Sequence, residues 1–186
     1  MPVKARDLLR AASRVMVDNE PQPAFALLAD ARSTDVLIRE LQSAADEGLS
    51  VVRSSPFRIR HGAGVRMVAD LVEPLDRALR STRVLVRRTA VAAHHQRPVP
   101  RSYALLASDL STAADMVAEE LEANRMPEAA RPALLAVGHA SSQVERTPDL
   151  SADAVLAQLR SVVVDLLLLT GMNALESTDA LPPPRE

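Results

Sequence analysis

EPLDRALRSTRVLVRR, residues 73–88, decides how the rest of the chain is read. It carries Arg77, Arg80, Arg83, Arg87 and Arg88 beside Glu73 and Asp76. Either it is a basic patch for nucleic acid or lipid, or it is the solvated face of a scaffold helix. Followed in both directions, apolar or small residues recur at Val68, Leu71, Leu75, Ala78, Thr82, Leu85, Thr89 and Ala92, in steps of three and four. That spacing belongs to a bundle helix with one buried stripe. At about 100° per residue, Arg77, Arg80, Arg83 and Arg87 gather opposite the stripe, with Arg88 on its flank. Glu73 precedes Arg77 by four and Asp76 precedes Arg80 by four, the favourable order for helical ion pairs. Arg83, Arg87 and Arg88 are left towards the C-terminal end, where the helix dipole favours cations. The face reads as solvated scaffold; salt bridges to another domain or subunit, and an anion or lipid-headgroup site, are the alternatives.

Composition narrows the choice. The chain has 186 residues, 47% of them hydrophobic but only 2% aromatic, so its core must be built from Ala, Leu and Val. Close-packed helices suit that supply better than a β-sandwich. A net charge of −2 removes the global attraction that most nucleic-acid binders use, and no aromatics interleave the arginines for bases to stack upon. Nucleic acid is therefore not an expected partner. There is no cysteine, hence no disulfide, thiolate metal site or cysteine nucleophile. The N-terminus MPVKARDLLR lacks the apolar core of a signal peptide, and the greasiest run, SVVVDLLLLTG at 161–171, is about half a membrane span and is broken by Asp165.

Proline and loop signals divide the chain into helical pieces. Val3 to Val17 reads as a first helix, stopped by DNEPQP at 18–23, and Ala24 to Arg32 as a short second. Ser33, Thr34 and Asp35 then offer caps to a third, with the stripe Val36, Leu37, Leu41, Ala44, Ala45 running on to Val51 and Val52 and closing at Ser54, Ser55 and Pro56. The long helix runs from Ile59 or Val65 to His95, with Pro74 as a kink or break. Tyr103 to Ala123 follows, burying Leu106, Leu110, Ala113, Val117 and Leu121. Next come Glu128 to Val144, with Pro132 in the first turn, and Ala152 to Met172, capped from TPDLSAD. The expectation is all-α, an antiparallel bundle of about six to seven helices around one long central helix. Residues 1–175 would form a single domain and 176–186 a disordered Pro-rich tail.

No catalytic constellation assembles. His94 and His95 are adjacent and point about 100° apart, the wrong spacing to chelate one ion. His61 and His139 each stand alone, no G-x-S-x-G turn is present, and HGAG at 61–64 is too short for a phosphate loop. No catalytic residue, cofactor or metal is therefore assigned. The last long helix is more telling. Val155, Leu159, Val162, Val163 and Leu166 form one face, while Val164, Leu167 and Leu168 lie around the back, so this helix is buried on all sides or offers an interface. Asp165 sits within that run and needs a partner or a proton. Arg83 or Arg87 is the expected partner, with a proton relay as the alternative.

Three segments, ARSTDVLIRELQSA (31–44), EPLDRALRSTRVLVRR (73–88) and VLAQLRSVVVDLLLLTGM (155–172), with RPVP at 97–100, resemble the cytoplasmic portion of bacterial FUSC-type proteins. This is the fusaric acid resistance or aromatic acid exporter family. The resemblance spans roughly residues 24–175 and implies a helical module at the inner face of the cell membrane, acting in assembly or regulation rather than catalysis. Its implied partners are the membrane-spanning part of the same transporter or other copies of itself; weak contact with anionic lipid headgroups is the alternative reading of the arginine face of residues 73–88. The membrane helices are absent from this chain, so no substrate residue carries over. A free-standing scaffold or small-acid-sensing bundle is the alternative.

Overall fold

A computed structural model of the protein describes residues 2–54 and 59–184, and every regular element within them is helical. In order these are α1 Pro2–Asp18, α2 Pro21–Ser54, α3 Ile59–His94, α4 Arg101–Glu122, α5 Arg131–Gln143, α6 Leu150–Leu169 and α7 Ala174–Asp179, with a 3-10 turn at Pro127–Ala130 leading into α5. The expected all-α bundle is what the chain adopts, and α3, at 36 residues, is its longest member.

The stripe read from residues 73–88 is the buried one. Leu71, Leu75, Ala78, Thr82, Leu85, Thr89 and Ala92 are all buried. Thr82 and Thr89 enter the core without unpaired hydroxyls, because each donates to the carbonyl one turn back, Ala78 at 2.8 Å and Leu85 at 3.0 Å. Pro74 neither breaks α3 nor ends it. Proline removes one backbone donor, and here the freed carbonyl belongs to exposed Asp70, where water can serve it.

α3 packs against α2, α6 and α1, and α1 in turn against α4. Contacts of α1 with α4 run antiparallel: Arg6 reaches Asp115 at 2.6 Å and Ser13 the Ala104 carbonyl at 2.7 Å. The only buried aromatic among the described residues, Tyr103, closes the same end, donating to the Glu145 carbonyl at 3.2 Å. In α5, Pro132 does sit in the first turn.

α2 departs from expectation. Ser33, Thr34 and Asp35 do not start a new helix, since α2 is continuous over 34 residues. Ser33 and Thr34 instead donate to the carbonyls of Asp30 and Ala31, each at 2.7 Å, the back-bonded alternative to capping. Without the break the register runs straight on from Ala24, so the buried set is Ala24, Leu27, Ala31, Thr34, Ile38 and Ala45. Val36, assigned to the apolar face, is 49% exposed. The expected stop at Ser55 and Pro56, and the side chains of Val51, Val52 and His61, lie outside the described residues.

The stretch expected to be a disordered tail is docked as far as residue 184. Asn173 and Glu176 form a reciprocal capping box at the start of α7. Beyond it Leu181 is buried against Gly138 of α5, whose absent Cβ would stand 3.1 Å from the Leu181 side chain. Glycine is what lets the strap approach α5 so closely.

Candidate functional site

α6 begins under a proper cap: the Asp149 carboxylate accepts from the Ser151 and Ala152 amides at 2.8 and 3.0 Å. From there α6 runs antiparallel to α3, with Gln158 donating to the Ser81 carbonyl at 3.2 Å. α6 touches α3, α4, α5 and α7, which is why apolar residues are needed all around it. Val155, Leu159, Val162, Val163 and Leu166 are buried, and so is Leu167, at 0% exposure. Leu167 therefore belongs to the core and is withdrawn as an interface residue. Val164 and Leu168 are half-buried and line two grooves along the α3–α6 seam.

The larger groove, about 620 Å³, opens between α3, α6 and the strap after α7. Arg77, Ser81, Arg146, Asp153, Arg160 and Asp165 give its polar lining, and Leu156, Val164 and Leu181 much of its apolar wall. Asp165 is 7% exposed. Burial pushes its carboxyl above the usual range, opposed by a hydrogen bond from the Ser81 hydroxyl and by the charge of Arg77. The partners expected for it, Arg83 and Arg87, are elsewhere. Arg83 turns to α2, where it binds Asp35 and the Thr34 hydroxyl. Arg87 is exposed beside Arg88. The reason is angular: Arg83 sits on the α2 side of the buried stripe, and Ser81 and Arg77 on its α6 side. The expected pairs Glu73–Arg77 and Asp76–Arg80 are both present, at 3.0 and 2.7 Å.

Arg160 is the residue that the sequence reading missed. Its guanidinium donates to the Ser141 hydroxyl at 2.6 Å and to the Pro182 carbonyl, both neutral acceptors. Burial alone lowers its pKa, with no carboxylate to raise it again. The signal was available, because Arg160 is a charge only five residues before Asp165 in a nearly all-apolar run. Arg146 and Asp153 neutralise each other through two parallel bonds of 2.9 and 2.8 Å, and that partner holds the Asp153 carboxyl below its ordinary value. Arg77 is bonded to Glu73, so Arg160 is the one arginine of the groove with no carboxylate bonded to it, and it stands over an apolar wall. Such a site suits a small organic anion with an apolar body. No histidine lines it.

A second groove of about 570 Å³ continues the seam past Pro74, lined by Met67, Leu71, Met126 and Leu168. His94 stands edge-on to Phe25 and to His95, with ring centroids 5.6 and 5.1 Å apart, and His139 bonds the Leu135 carbonyl of its own helix. None of the helices among the described residues is long and apolar enough to cross a membrane.

No protein-family profile matches the chain, and no solved structure does. Over 162 residues, 83% of this chain, it is 30% identical to a protein of Corynebacterium glutamicum described as uncharacterized. The matched stretch is 42% of that protein's length, so the chain spans less than half of the relative it matches.

Proposed function

We propose that this chain is a non-catalytic helical module of a FUSC-type membrane transporter, acting at the inner membrane face in assembly or regulation. The observation that carries this reading is where the resembling segments fall. Residues 31–44 lie on α2, 73–88 on α3 and most of 155–172 on α6, and these helices pack in sequence, α2 on α3 and α3 on α6. The resemblance thus follows one packed layer rather than scattered surface. A relative more than twice as long as the matched stretch fits a module within a larger protein.

The test is deletion of residues 24–175 from the chromosomal gene, followed by measurement of cell-associated radiolabelled fusaric and hydroxybenzoic acids. Accumulation rising several-fold over the parent strain supports the reading. Unchanged accumulation, with the native protein recovered in the high-speed supernatant, overturns it.

A second reading, a small-acid-sensing bundle without a transport role, is favoured by Arg160 in the groove. Aromatic carboxylates at millimolar concentration would then raise the melting temperature, since a ligand that binds only the native state stabilises it by mass action. Arg160→Gln would abolish the rise. A wild-type melting temperature indifferent to these acids removes this reading.

A further inference from the structure

The two halves of α3 differ in charge. Its N-terminal half places Asp70, Glu73 and Asp76 around a groove that Asp46 of α2 also lines. Its C-terminal half exposes Arg87 and Arg88, neither with a carboxylate partner among the described residues, on either side of Val91, which is 45% exposed. α6 starts against this second half, so that Ser151 joins Arg87, Arg88, Val84 and Val91 around a cleft of about 290 Å³. One residue earlier, Leu150 is 83% exposed, the most exposed large apolar side chain among the described residues. Arg97 completes the rim, donating to the Ser151 hydroxyl at 3.0 Å and standing 4.0 Å from the Asp149 Oδ2, while the Asp149 Oδ1 accepts from the α6 amides. On the α2 side Phe25, 52% exposed, lies against His94.

From this juxtaposition we infer that the end of the bundle holding Arg87, Arg88, Arg97, Val91, Leu150 and Phe25 is a docking surface for an anionic lipid bilayer. Leu150 and Phe25 are exposed singly, on α6 and α2, and the cleft at Val84 and Val91 is too small to receive an amphipathic helix. The cleft falls below the usual size of a small-molecule pocket. Protruding apolar side chains ringed by arginines match the boundary between headgroups and acyl chains, where apolar burial and attraction to anionic lipid add together. Glu73 and Asp76 are paired with Arg77 and Arg80, so the unpaired positive charge of α3 lies at the end that holds Arg87 and Arg88, and that end would face the bilayer. The inference shares with the reading above only its placement at a membrane face, and vesicle binding tests it independently of transport.

The experiment is sedimentation of the 186-residue chain with vesicles of phosphatidylcholine alone or with about one-third phosphatidylglycerol, at low salt and at about 0.5 M salt, where screening is within a few ångströms. Wild type should partition onto the anionic vesicles at low salt at least about tenfold better than onto neutral ones, and lose this at high salt. Each arginine contributes roughly fivefold at such a surface, so Arg87→Glu/Arg88→Glu should lose about thirtyfold or more. Leu150→Asp should lose a few-fold at either salt. Arg39→Glu/Arg125→Glu, with the same change in net charge away from the patch, should bind as wild type does. Circular dichroism checks that each variant is folded. The inference is overturned if wild type ignores anionic vesicles at low salt, if both double variants lose binding equally, or if millimolar inorganic phosphate alone displaces the chain at constant ionic strength.

Discussion

α2 and α6 both pack on α3, yet they are held by different means. α6 is enclosed by four other helices, and apolar side chains around nearly its whole circumference are buried. α2 lies against α3 and α1, buries one stripe from Ala24 to Ala45 and leaves the rest of its surface wet. How far a helix's apolar residues spread around its axis thus reports how many neighbours it has, and the two helices should answer differently to the same kind of substitution. Leu159→Ala, at a site 2% exposed, should cost about 2–5 kcal/mol. Val36→Ala, at the position on α2 first assigned to its apolar face, should change stability by no more than about 0.5 kcal/mol. Urea midpoints with unchanged slopes decide it, and similar losses at the two sites would abolish the contrast.

Asp165 sharpens the comparison from the polar side, because enclosure makes a carboxylate costly. Its native pKa lies above that of the unfolded chain, so the native state holds the proton more tightly. The cost is absent below the unfolded pKa and develops as pH rises through the native one. Asp165→Asn keeps a Ser81 partner and carries no charge, so it should be more stable than wild type at neutral pH, on the order of 1 kcal/mol. That advantage should shrink as pH falls towards the acid range. Asp153 has the opposite shift, and stability from its pairing is lost as pH falls, but it is common to both proteins and cancels in the difference. A wild type-to-variant gap that is flat across pH would show that burial does not govern Asp165.

The first turn of α6 gives a third test. Asp149→Ala removes the acceptor for two orphan amides and should cost ~1 kcal/mol, recovered in good part by Asp149→Asn. The measurement is thermal unfolding of the three proteins side by side.

What could be read in advance follows from the range of each signal. Periodicity is local, so the stripes of α3 and α4 and the core face of α6 were legible in the sequence, with only Val68 and Leu121 at the stripe ends half-buried. Which of two neighbouring helices a boundary side chain turns to is not local. Arg83 was assigned to α6 and Asp165, but α2 packs on its side of α3 and supplies Asp35 and Thr34 as its partners. Arg160 acquires its meaning from Ser141, on another helix, and from Pro182, after α7, in a segment expected to have no structure at all. The tail failed for a related reason: PPP marks where helix must end, but not whether the residues before it find a surface. Leu181 finds one because Gly138 leaves room.

The smallest effect concerns whether α2 is one helix or two. If Ser33 capped a new helix, Ser33→Ala would expose an orphan amide and cost ~1 kcal/mol. In a continuous helix the same residue is an exposed interior position whose hydroxyl bends back to the Asp30 carbonyl, an arrangement that slightly disfavours helix. Alanine there should then stabilise the protein by a few tenths of a kcal/mol, following intrinsic propensity. Sign alone settles the matter, so an effect this small is enough. Differential scanning calorimetry on Ser33→Ala should show a slightly raised melting temperature. A fall of several degrees would restore the break at 33–35, and with it the shifted register that puts Val36 on the buried face.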